Sequence, residues 1–150
     1  MTLTDAVKTC LTKKYATFTG RACRSEYWWF VLAYVIVGIV ISLLGNILSL
    51  LYFVALIVPA LAVGFRRLQD TGRPGWYILI PTATGLLLRL LTPTPPMMAD
   101  GHMTEMPDMG SMGLLALLSL VQLALAVIFI WWLTRPSQPE TNAYGPPPAA

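Results

Sequence analysis

The chain has 150 residues, of which 56% are hydrophobic and only 11% charged, against roughly 25% charged residues in an ordinary soluble domain. That balance excludes a water-soluble globular protein, and the formal net charge of +3 matters less than where the charges stand. The expected fold is all-α: a polytopic membrane protein with four transmembrane helices behind a short N-terminal interfacial amphipathic helix.

In residues 1–20, Leu3, Val7, Cys10, Leu11 and Phe18 recur at roughly helical spacing, and Thr2 and Asp5 occupy capping-box positions. With Lys8, Lys13 and Lys14 on the polar side, this segment is expected to lie as a cytoplasmic helix on the inner leaflet, attracted by anionic lipid. A cleavable signal peptide is not expected, because the apolar region that follows is too long and has no small-residue cleavage pattern. Cys10 and Cys23 fall on the side expected to be reducing and form no CxxC pair, so both are expected as free thiols.

Residues 21–135 read as the membrane domain. From Trp28 to Phe65 no residue is charged, and only Ser42, Asn46 and Ser49 are polar. One helix over that run would be about 57 Å long, nearly twice the hydrocarbon thickness of a bilayer. Gly45-Asn46 supplies a reversal near its middle, which gives antiparallel spans over 28–44 and 47–65. A third apolar stretch, 76–91, is short and contains Pro81, Gly85 and Arg89; a tilted, kinked or re-entrant segment is open for it. The fourth, 114–133, has Ser119 and Gln122 as its only polar members. Gly38 with Ser42 and Ala60 with Gly64 give small-residue spacings that permit close helix contact, within the bundle or in a homo-oligomer. Arg89 stands near the outer end of its span, where it snorkels to water. The Pro-rich tail, 136–150, is expected to be extended and flexible.

Orientation follows from the basic residues, which are retained on the cytoplasmic side. With both termini inside, every Lys and Arg except Arg89 is cytoplasmic. Trp28, Trp29, Trp76, Trp131 and Trp132 then all stand at the inner boundary, where indole rings seat well.

Two cytoplasmic segments carry the most distinctive sequence. They are Phe18-Thr19-Gly20-Arg21-Ala22-Cys23-Arg24-Ser25-Glu26-Tyr27-Trp28-Trp29-Phe30 and Arg66-Arg67-Leu68-Gln69-Asp70-Thr71-Gly72-Arg73-Pro74-Gly75-Trp76-Tyr77. This pair resembles the signature of the YhaH/YhaI-type family of small bacterial inner-membrane proteins, a domain of unknown function whose usual forms are close to FxGRARRxEYWW and RRLHDTGRSGWW. Asn142-Ala143-Tyr144-Gly145-Pro146 is similar to the family's closing NxYGP element. Cys23, Gln69 and Pro74 stand where Arg, His and Ser are common. The resemblance implies a multi-span protein of the bacterial inner membrane and brings no reaction, cofactor or substrate.

From the residues themselves, Gly72 is expected in the left-handed conformation after the second span, with Pro74 in the first turn of the next helix. Glu26 is expected to pair with Arg67 or Arg73, and Asp70 with Arg66. The resulting interfacial network has two readings. Either it fixes topology and helix register, or Arg21, Arg24, Glu26, Trp28, Arg66, Arg67, Asp70, Arg73 and Trp76 form a docking face for anionic lipid headgroups or a protein partner.

The outer loop, 92–113, holds Met97, Met98, Met103, Met106, Met109 and Met112 beside His102. Thioethers suit Cu(I) or Ag(I), and the spacing resembles the methionine-rich motifs of bacterial copper-handling proteins; a low-complexity insertion against the interface is the other reading. No Ser/His/Asp set, HExxH or phosphate loop is present, so an enzyme is not expected. Nucleic-acid binding is disfavoured because topology accounts for the basic residues. The function read from sequence is therefore a structural or interaction protein of the inner membrane, the alternative soft-metal handling, and a small transporter third.

Overall fold

The computed structural model describes residues 1–91 and 109–148. Five α-helices account for the regular structure there: α1 (Leu3–Lys8), α2 (Arg24–Ser42), α3 (Asn46–Asp70), α4 (Leu79–Leu91) and α5 (Met109–Thr134). No β-strand occurs among the described residues. The chain divides into two compact units, one of residues 1–78 and 131–150, the other of residues 79–130.

In the first unit, the capping box of α1 forms as expected: the Asp5 amide donates to Thr2 Oγ1 at 3.2 Å and the Thr2 amide to the Asp5 carboxylate at 3.4 Å. The Thr2 hydroxyl holds the Asp5 carboxyl below its ordinary range. A π-helical turn, Thr9–Lys13, follows and ends the helical run, so the helix expected over residues 1–20 stops at Lys13. The reason lies in α3, which claims the backbone beyond. Arg66 Nε donates to the Thr17 carbonyl at 3.1 Å, and the Ala22 amide donates to the Arg66 carbonyl at 3.1 Å. Ala6 and Cys10 are fully buried, so one face of this segment packs on protein.

α2 and α3 form the expected hairpin. Gly45 takes φ +135° between them, a conformation that a side chain would strain. The Tyr52 hydroxyl donates to the Tyr34 carbonyl at 2.6 Å, and a Cβ on Gly38 would lie 3.3 Å from the Tyr52 ring, so the small residue serves contact within the hairpin. α3 runs unbroken through Pro59. Proline has no N–H to offer the carbonyl four residues back, which leaves Ala55 without its helical donor. The Tyr15 hydroxyl donates to that carbonyl instead.

α3 ends as the sequence predicts. The Gly72 amide bonds the Gln69 carbonyl at 3.1 Å and the Arg73 amide the Leu68 carbonyl at 3.0 Å, with Gly72 at φ +78°, a Schellman closure. A 3₁₀ turn, Gly75–Ile78, follows, so Pro74 precedes a 3₁₀ turn where an α-helical first turn was expected. Gly64 lies against this turn so closely that a Cβ there would meet Ile78 Cδ1 at 2.1 Å.

In the second unit, Pro81 occupies the third position of α4, where an amide would have no intrahelical partner anyway. Gln122, in the middle of α5, is satisfied by α4. Thr84 Oγ1 donates to its Oε1 at 2.7 Å, and its Nε2 donates to the Pro81 carbonyl at 3.1 Å.

Three helical segments, Arg24–Ser42, Asn46–Asp70 and Met112–Thr134, are long and apolar enough to cross a membrane, and Gly75–Leu88 is a shorter apolar helix. Their large aliphatic side chains are largely exposed, as at Ile47 (79%) and Leu120 (63%). The largest fully buried side chains include Arg66, Arg67, Glu26 and Asp70. Burial is thus inverted relative to a soluble domain, as expected of helices that face hydrocarbon.

Candidate functional site

The buried charges gather where the start of α2, the end of α3 and the segment after α5 meet, all within the first unit. Arg66 and Arg67 are sequence neighbours and therefore point about 100° apart around α3, so each serves a different partner. Arg66 donates through Nη1 to Glu26 Oε1, with both side chains nearly inaccessible. Lys14 Nζ lies 3.8 Å from the other Glu26 oxygen, and the Cys10 thiol is 4.0 Å from both Glu26 Oε1 and Arg66 Nη2. Burial first, and then the Glu26 charge, push the Cys10 thiol up to about 11. It is therefore a protonated, weakly polar packing group at neutral pH.

Arg67 turns to Asp70, one helical turn on, and donates to Oδ2 through Nη1. Its Nε reaches the Leu133 carbonyl at 3.0 Å, and its Nη2 the Arg135 carbonyl. Those two bonds tie the end of α5 to the end of α3. The same carboxylate receives Arg21 Nε on Oδ1 at 2.9 Å and the Ser137 hydroxyl on Oδ2. Asp70 is fully buried, and three side chains from three separate stretches of chain converge on it.

The remaining donors of Arg21 hold the tail. Nη1 reaches the Glu140 carbonyl at 2.8 Å and the Gly145 carbonyl at 3.3 Å, and Nη2 reaches the Gln138 carbonyl. The Gln138 amide donates to the Asp70 carbonyl at 3.2 Å, and Asn142 Nδ2 to the Gln69 carbonyl at 2.9 Å. Contacts from Arg135 to Gly145 accordingly tie this segment to the loop, where the sequence suggested an extended and flexible tail. Carbonyls in a Pro-rich stretch have few amides of their own to pair with, and the Arg21 fork supplies donors.

The expected ion pairs are therefore re-matched: Glu26 pairs with Arg66, Asp70 with Arg67 and Arg21, and Arg73 with neither acid. Asp70 stands four positions after Arg66 and three after Arg67, within helical reach of both, and the position of Glu26 on α2 decides which one it keeps. The expected docking face is also divided. Arg21, Arg66 and Arg67 are buried with their forks engaged internally, so they present no free donors outward. Arg24, Trp28 and Trp76 stay exposed, and Arg73 is half-buried. Arg73 stacks over the Trp132 ring at 4.9 Å, and Arg135 over Trp131 at 4.5 Å.

Ser137, Arg135, Tyr15 and Thr17 belong to this assembly and were not singled out by the sequence. The one sequence signal that could have found any of them is Pro59, since a proline inside a span leaves a carbonyl without its helical donor, here the one that Tyr15 serves. Of the methionine-rich segment, Met97, Met98, His102, Met103 and Met106 lie outside the described residues. α5 begins at Met109, so Met109 and Met112 belong to a helix and not to the loop expected to reach residue 113. Among the described residues no group of three or more His, Cys, Asp or Glu could hold a metal ion.

Inner membrane protein YhaI of Escherichia coli (strain K12) is 44% identical over 75 residues, covering 45% of this chain and 64% of that protein. Inner membrane protein YhaH of the same organism is 39% identical over 79 residues, covering 45% of this chain and 65% of that protein. The chain thus spans a little under two thirds of the length of these curated relatives. No solved structure matches it significantly. The motif pair and the docked NAYGP element both fall within the stretch, residues 15–146, that matches the family described as "Protein of unknown function (DUF805)", and the chain belongs to that family.

Proposed function

We propose that this is a four-span protein of the bacterial inner membrane with both termini cytoplasmic. Its ion-paired inner end is a rigid interaction platform and not a catalytic site. One observation carries the reading: Arg21, Arg67 and Ser137 converge on the buried Asp70 carboxylate. A cap so fully satisfied internally is built to hold a shape, and what it offers outward is its rim of Arg24, Arg73, Arg135, Trp28 and Trp76.

The same contacts support an even number of crossings. The chain leaves the cap at Gly75 and rejoins it at Leu133, whose carbonyl accepts from Arg67. α5, with 26 residues, is about 39 Å long and crosses once. The stretch before it must then cross in the opposite sense, and α4 is its apolar helix. With the 3₁₀ turn before it, α4 reaches about 28 Å, close to the hydrocarbon thickness. Gln122, satisfied by Thr84 and the Pro81 carbonyl, suits a helix pair in lipid, where unpaired amides are disfavoured.

Membrane-impermeant maleimide tests the topology. Labelling of a Glu105→Cys chain in intact cells, with a Glu140→Cys chain labelled only after permeabilisation, is the expected outcome. Labelling of Glu140→Cys in intact cells overturns it.

Soft-metal handling is a second proposal, supported by six methionines and His102 within residues 97–112. Titrating the full chain with Cu(I) tests it, and an affinity unaffected by Met→Leu changes at 103, 106 and 109 rejects it.

A further inference from the structure

Two guanidinium groups stand apart from the ion-pair core. Arg73 lies in the loop after α3, and Arg135 directly follows α5. Each is stacked on an indole: Arg73 on Trp132 and Arg135 on Trp131. Together with Thr71 and Pro136 they line a polar cleft of about 270 Å³. Among the described residues no carboxylate forms an ion pair with either; the four ion pairs engage Lys14, Arg21, Arg66 and Arg67. The side-chain donor bond of Arg73 runs from Nη1 to the neighbouring Thr71 carbonyl at 3.4 Å.

Two like charges held beside one cleft repel each other. Burial lowers the Arg73 pKa, and the Arg135 charge lowers it further. The fold nevertheless keeps both in place, each guanidinium over an indole ring. That cation–π contact restrains the side chain, and the planar fork of guanidinium donors suits a bidentate phosphate contact. The exposed Trp76 and Trp131 rings are side chains that seat at the headgroup depth of a bilayer.

We infer that Arg73 and Arg135, braced on Trp132 and Trp131, form a binding site for the phosphate of an anionic phospholipid headgroup. The site rests on the cap facing the inner leaflet, as proposed above. It takes the lipid as a discrete ligand, while the buried pairs of Arg21, Arg66 and Arg67 stay out of the contact. The shared chemistry is a phosphate anion; the flanking indoles favour one attached to a lipid over one free in solution.

Native mass spectrometry of the full chain in detergent, titrated with phosphatidylglycerol, provides the test. The wild-type chain is expected to retain one lipid, and a chain carrying Arg73→Gln and Arg135→Gln to bind it about thirtyfold more weakly, the combined effect of two membrane-surface arginines. Arg73→Lys with Arg135→Lys keeps the charge but loses the fork, so it should recover only part of the affinity. Arg24→Gln, which removes an exposed arginine of the rim outside the cleft, should weaken binding far less than the paired cleft substitutions; a loss as large as theirs overturns the site. Thermal unfolding of each variant without lipid checks that the fold is intact, since neither side chain joins the buried ion pairs.

Equal binding by the wild-type and the doubly neutralised chains overturns the site, as does equal retention of phosphatidylcholine. Displacement of the lipid by millimolar inorganic phosphate also overturns it, in favour of a free-anion site. Because the maleimide labelling reads topology independently, a wrong orientation and a wrong site give different results.

Discussion

The ion-paired end of the molecule and the tip of its first hairpin obey opposite rules. At the ion-paired end, Glu26, Arg66, Arg67 and Asp70 are almost wholly buried, while around the hairpin turn Leu43 and Ile47 are about four-fifths exposed. Sequence composition alone would assign both to one hydrophobic protein. The contrast teaches that the hairpin tip has little side-chain packing to lose, whereas the ion-paired end is held by specific pairs whose members cannot be removed singly. Deleting one partner of a buried ion pair leaves an uncompensated charge, and that loss is far larger than the net worth of the pair.

Asp70→Ala should therefore produce the largest effect, a destabilisation of about 3–5 kcal/mol, because it strands Arg21 and Arg67 together. Denaturant unfolding in detergent measures it, and a variant as stable as wild type would break the contrast between the two regions. Proteolysis sharpens the same test, since residues 136–148 should become cleavable once Asp70 no longer orders their anchor.

An alkaline titration comes next. The Cys10 thiol is raised from 9.0 to about 11, so between those values the unfolded chain releases a proton that the folded chain retains. The stability contributed by this group is fully present below pH 9.0 and is lost as pH rises through about 11. Cys10→Ala should flatten that decline; an unchanged pH profile would show that the thiol is not held in the buried Glu26–Arg66 contact.

A smaller effect is expected where the N-terminal segment meets α3. Tyr15→Phe should destabilise by about 1 kcal/mol by leaving the Ala55 carbonyl unsatisfied. With Pro59→Ala, which restores the helical donor, the same change should be nearly neutral. A double-mutant cycle reads the coupling, and additive effects would detach Tyr15 from the proline. The smallest effect belongs to the hairpin tip, where Leu43→Ala should shift stability by no more than about 0.5 kcal/mol. A loss comparable to that of Asp70→Ala would mean that the tip is packed against something other than lipid.

Much of this was legible in the chain itself. The uncharged run from Trp28 to Phe65 is too long for one crossing, so it had to fold back, and Gly45-Asn46 was the place with the backbone freedom to do so. Thr2 with Asp5 announced the cap of α1, and Gly72 the left-handed end of α3. In each case the residues that decide the geometry lie within a few positions of one another, where backbone sterics and local hydrogen bonds dominate. The motif pair likewise marked Arg21, Glu26, Arg67 and Asp70 as members of one site.

The partners inside that site were not legible, because they depend on rotation about helix axes. Arg66 and Arg67 differ by one position and about 100°, and nothing local says which of them faces Glu26. The tail is a second case. Its composition reads as a solvated terminus, yet its carbonyls complete the Arg21 fork across more than a hundred residues of sequence. Sequence by itself determined that the chain belongs in a membrane, where it turns, and which charges collect at one end, since hydropathy and backbone freedom are properties of segments. Only the tertiary structure decided which charge meets which, and therefore which arginines are sealed inside and which, like Arg73 and Arg135 on their indoles, stay outside the ion pairs; that choice is made by distances between segments remote in the chain.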